Sequence, residues 1–78
     1  MEKLVRIQTL DQLFRLNKVA ISVPEDVFLK SKNGAITTNA KSGLNLFALD
    51  LSSPILVESE SQVVMDALDE IALPINQR

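Results

Sequence analysis

Hydroxyls, amines and carboxylates are the reactive side chains of this chain, which contains no histidine, cysteine, tyrosine or tryptophan. Ser52, Ser53 and Ser59 are the candidate nucleophiles. With no imidazole to take their protons, the remaining base would be Lys30, Lys32 or Lys41. Activation of that kind needs a geometry that nothing in the spacing signals, so turn and cap serines beside solvated lysines are the simpler reading. Asp66, Asp69 and Glu70 share one side of a helix, where acid–base work would require burial to shift a pKa. The same acids follow no D-x-[DN]-x-[DN]-G loop, and a single helix face converges too few oxygens on a Ca²⁺ or Mg²⁺ ion. Gly34 and Gly43 stand nine residues apart in separate turns and make no phosphate cradle. The expectation is a protein that is not an enzyme, with no catalytic residue, no metal site and no cofactor.

Charge placement is more informative than charge type. Residues 1–26 balance four basic against four acidic side chains; from Val27 to Leu49 there are three lysines and no acid; from Asp50 onward six acids face only Arg78. A net charge of −2 thus conceals a basic middle and an acidic last third. Such asymmetry favours an oriented contact with a charged partner, including another copy of the same chain.

The basic segment, Lys30 to Lys41, offers lysines, hydroxyls and amides, the groups that contact phosphates, on what reads as a two-stranded ribbon. It lacks arginine, and Phe28 is the one aromatic nearby, so base stacking has little to work with. Three lysines release few counterions, and nucleic-acid binding through them would be weak and salt-sensitive. Lysine also commonly protects exposed strand edges.

The elements that must carry these groups follow from periodicity. Lys3–Ile7 reads as a strand. Thr9 and Gln12 form a T-x-x-Q capping box opening a helix of two turns, Leu10–Leu16, closed by Asn17. Lys18–Val23 alternates like a strand and ends at Pro24. Val27–Leu29 and Ala35–Thr38, joined through Asn33-Gly34, suggest a hairpin with a type I′ turn; Asn39–Gly43 is a second turn. Leu44–Leu51 is apolar on both faces and reads as a doubly covered strand. Ile55–Val57 is one further short strand. Ser59 and Gln62 form an S-x-x-Q box before a helix over Glu60–Leu73, whose buried stripe is Val64, Ala67, Leu68, Ile71 and Ala72, ending at Pro74. Asp69 and Glu70 lie toward the negative end of that helix, a small local violation that a basic partner would offset.

The fold class expected is α+β: a small, mostly antiparallel sheet of four to five strands with two helices, in the order β-α-β-β-β-(β)-α, forming one domain over residues 1–78. Hydrophobic residues make up 46% of the chain, which is ample for a core and more than one small protomer readily hides. The absence of a long apolar run excludes a membrane-spanning helix, and a cysteine-free, leaderless chain reads as cytoplasmic. These features describe a small protein-interaction module of inhibitor or adaptor type, acting on another protein and self-associating as a homodimer or larger homo-oligomer. A phage- or plasmid-encoded accessory protein has this outline. Phe28, Lys30, Lys32, Ile36 and Lys41 form one expected contact patch, and Glu60, Asp66, Asp69 and Glu70 the other. The alternative is a small nucleic-acid-binding regulator that uses the Lys30–Lys41 hairpin.

Overall fold

The computed structural model describes residues 1–31 and 36–74. Among the described residues, five strands form one sheet in the order β3-β2-β4-β1-β5, every neighbouring pair antiparallel. The chain runs β1 (Glu2–Arg6), α1 (Leu10–Ser22), β2 (Val27–Ser31), β3 (Thr37–Asn39), a 3₁₀ helix (Asn45–Ala48), β4 (Ile55–Ser59), α2 (Gln62–Ile71) and β5 (Leu73–Pro74). The α+β architecture is as the periodicity indicates. β1-α1-β2 and β4-α2-β5 are two interleaved split βαβ units, each with the other's strand between its own pair.

Alternation along the strands builds the core. Val5, Val27, Leu29, Ile55 and Val57 point inward and are buried, and Leu13, Leu16 and Ala20 of α1 join them with Val64, Met65, Leu68 and Ile71 of α2. The register places Leu29 opposite Val57, and Val5 opposite Ile55. Both helices therefore lie on one face of the sheet.

Local chemistry explains the start of α1. Thr9 Oγ1 accepts from the Gln12 amide at 3.2 Å, and the Gln12 side chain accepts from the Thr9 amide at 3.1 Å, which completes the expected capping box. The helix does not stop at Asn17, however, and residues 18–22 are its last turns instead of a strand. Leu13, Leu16 and Ala20 continue one buried stripe at spacings of three and four, and the Asn17 amide donates to the Ala40 carbonyl at 2.8 Å, which holds it in mid-helix. Pro24 follows the C-cap residue Val23, and Lys41 Nζ donates to the Val23 carbonyl at 2.6 Å.

Three further expectations change. Leu44–Leu51 is no strand: Leu46 and Leu49, three residues apart, are buried, whereas Leu44 and Phe47 are exposed, so the segment follows the period of its 3₁₀ turn. Ile55–Val57, expected as a marginal strand, extends to Ser59 and stands at the centre of the sheet. The second helix is capped by Ser61, whose Oγ accepts from the Val64 amide at 3.3 Å, and it spans Gln62–Ile71 instead of Glu60–Leu73. Ser59 is buried and donates its hydroxyl to the Asp26 carbonyl at 2.7 Å. The β2–β3 hairpin forms in register, Leu29 opposite Thr38; its Asn33-Gly34 turn, like Lys32, lies outside the described residues.

Candidate interaction surfaces

Because α1 and α2 share one face of the sheet, the other face has no helix over it among the described residues. Two cross-strand rows on it are Thr37–Lys30–Leu56–Leu4 and Asn39–Phe28–Glu58–Glu2. Leu4, Phe28 and Leu56 are half-buried there. Lys30 Nζ reaches Glu58 Oε2 diagonally at 3.2 Å. The Glu58 carboxyl is held below its ordinary value by a side-chain hydrogen bond with Glu2, then by the hydrogen bond and charge of Lys30, with slight opposition from burial. Beyond Glu58 the face ends in an open groove of about 570 Å³ lined by acids, Glu2, Glu25, Asp26, Glu58 and Glu60, with Phe28 at its wall. Lys30 and Arg6 lie toward the opposite end of their strands. The face therefore interleaves apolar with charged side chains and is graded from acid to base along the strands.

The two expected patches are placed as follows. Phe28 and Lys30 are together on this open face, and Glu60 stands at its acidic end. Ile36 is exposed just before β3. Lys41 is turned away from them, its ammonium against the end of α1. Asp66, Asp69 and Glu70 share the outer side of α2; Asp66 accepts from the Gln62 amide nitrogen at 2.8 Å, and Asp69 is 2.6 Å from Lys3 Nζ. The structure thus brings Phe28, Lys30 and Glu60 to one surface and the remaining acids to another. Lys30 and Lys41 are engaged within the chain.

Two of the three candidate serines, Ser52 and Ser59, are occupied as well. Ser52 donates its hydroxyl to Asp50 Oδ1 at 2.6 Å and its amide to the same oxygen at 2.9 Å, and both bonds hold the Asp50 carboxyl below its ordinary value. Among the described residues, no group of three or more acids is placed to hold a metal ion, and no helix is long and apolar enough to cross a membrane.

Sequence reasoning missed an exposed apolar ridge on α1. Leu10, Phe14 and Ile21 lie on one helical stripe and are 50%, 41% and 60% exposed. Phe47 of the 3₁₀ helix, 58% exposed, meets Phe14 edge to face with ring centroids 5.8 Å apart, and Leu44 beside it is 84% exposed. Residues three apart eclipse in a 3₁₀ helix, so Leu44 and Phe47 extend one surface. The signal was present in the 4-3-4 spacing of Leu10, Phe14, Asn17 and Ile21, but it spans the point where the helix was expected to end.

Comparison with protein-family models, curated proteins and solved structures finds no match.

Proposed function

We propose that this chain is a non-enzymatic protein-interaction module of inhibitor or adaptor type, working in the cytoplasm as a homo-oligomer. The observation that carries the reading is the helix-free sheet face, where Leu4, Phe28 and Leu56 surround the Lys30–Glu58 pair. Apolar side chains interleaved with charges suit a protein contact, the apolar groups supplying affinity and the charges orientation. A chain without histidine or cysteine, with Ser52 and Ser59 already donating to neighbouring oxygens, supports binding over catalysis. Engagement of Lys30 and Lys41 within the chain leaves the described part of the hairpin little free positive charge for a phosphate backbone.

The test is affinity capture from cell extract with wild-type protein and with Leu56→Glu, read by quantitative mass spectrometry and by absorbance for co-purifying nucleic acid. A protein retained by the wild type and lost with Leu56→Glu supports the module. Nucleic acid that is retained by the wild type and lost with Lys30→Glu/Lys32→Glu would replace it with the regulator reading.

A further inference from the structure

We infer that the ridge on α1 is the seam of a homodimer, in which α1 of one copy packs antiparallel against α1 of the second. This rests on the homo-oligomer reading above and deepens it by naming the surface. Leu10, Phe14, Asn17 and Ile21 follow the 4-3-4 spacing of alternating d and a positions in a heptad. The same helix turns Leu13, Leu16 and Ala20 into its own core. It therefore carries two apolar stripes, one satisfied by the sheet and one exposed.

The flanks decide the orientation. In that register Leu13 and Ala20 occupy the g positions, and both are buried. A parallel pair sets e against g of its partner, so burial of g removes that option. An antiparallel pair sets e against e. The e positions here are Asp11 and Lys18, both exposed and of opposite sign. About a two-fold axis near the middle of α1, Asp11 of each copy faces Lys18 of the other, so the flank is complementary to itself. Phe47 and Leu44 widen the seam on the side where Asn17 bonds Ala40. The open sheet face stays clear of this contact and is left for a different protein.

Light scattering and analytical ultracentrifugation over a range of protein concentrations test the seam. The expected result is a wild-type dimer, a monomeric Leu10→Glu/Ile21→Glu variant with unchanged circular dichroism, and a Leu56→Glu variant that remains dimeric. Asp11→Lys and Lys18→Asp should each weaken self-association by about tenfold, because each places like charges opposite at two symmetric points, and the double exchange should restore it. Those exposed exchanges decide the matter if the ridge variant fails to fold. Dimers that survive Leu10→Glu/Ile21→Glu but dissociate in Leu56→Glu would overturn the seam while leaving the homo-oligomer reading intact. A wild-type chain that stays monomeric throughout would overturn both, and dimers indifferent to the charge exchanges would overturn the antiparallel arrangement.

Discussion

Lys3 Nζ stands 2.6 Å from Asp69 Oδ1 and 3.3 Å from the Met65 carbonyl, tying the first strand of the sheet to the outer turns of α2. Asp69 is close to the C-terminal end of that helix, where its charge opposes the helix dipole. The compensating cation comes from the same chain, 66 residues away in sequence. The acid therefore needs no external partner to be tolerated, and the surface it shares with Asp66 and Glu70 is a weaker argument for a docking site than the open sheet face.

A double-mutant cycle on Lys3→Met and Asp69→Asn should return a coupling of about 0.2–1 kcal/mol by denaturant unfolding, the range of partly exposed ion pairs. The coupling should shrink in 1 M salt, about where screening reaches contact distances. A coupling of zero at low salt would mean that the pair does not hold α2.

Glu58 should titrate below its ordinary value of 4.5 in a carboxyl-carbon NMR titration, since the side-chain hydrogen bond with Glu2 and then the hydrogen bond and charge of Lys30 favour its charged form, and the Lys30 part alone persists where both carboxyls are ionised. The sign for stability follows from a depressed folded-state pKa. The contribution is fully present above the unfolded value and is lost as pH falls through the folded one. Lys30→Met should move the Glu58 titration upward and flatten the acid limb of the stability curve. A Glu58 titration indifferent to Lys30→Met would show that the diagonal pair does not persist in solution.

Capping separates the two serines that precede α2. Ser61→Ala should lower stability by about 1 kcal/mol through loss of the N-cap bond, whereas Gln62→Ala, which completes no box with Ser61, should stay within about 0.5 kcal/mol of wild type. At α1 the box is reciprocal, so both Thr9→Ala and Gln12→Ala should destabilise. A Gln62→Ala loss as large as that of Ser61→Ala in thermal or urea unfolding would show that Gln62 takes part in the cap and that Ser61 does not act alone.

The 3₁₀ segment predicts a sharp contrast between neighbouring leucines. Leu46 is fully buried, and Leu46→Ala should cost about 2–5 kcal/mol. Leu44 projects away from its own chain, and Leu44→Ala should stay within about 0.5 kcal/mol when both changes are read in the monomeric Leu10→Glu/Ile21→Glu background. Comparable losses at both positions would indicate a segment covered on two faces, as a doubly buried strand would be.

What the sequence determined by itself is what local physics determines. The Thr9–Gln12 box opens α1 through bonds three residues apart, the alternation of Val27 with Leu29 sets β2, and Val64, Leu68 and Ile71 mark the inward face of α2. The absence of histidine and cysteine likewise narrows the chemistry before any fold is known. Residues 18–23 and 44–51 were not legible. Over segments of six and eight residues, strand and helix periods coincide well enough that only the surroundings choose. The choice fell to contacts distant in sequence: Ala20 against the sheet, Asn17 on Ala40, Lys41 on Val23, and Leu46 and Leu49 inserted into the core while Leu44 and Phe47 were left outside. The same tertiary packing paired Lys3 with Asp69 and Lys30 with Glu58, and it set Phe47 against Phe14. Charge and hydrophobicity could be counted along the chain, but which charges remained free and which apolar side chains faced solvent were settled only when the sheet took both helices onto one side.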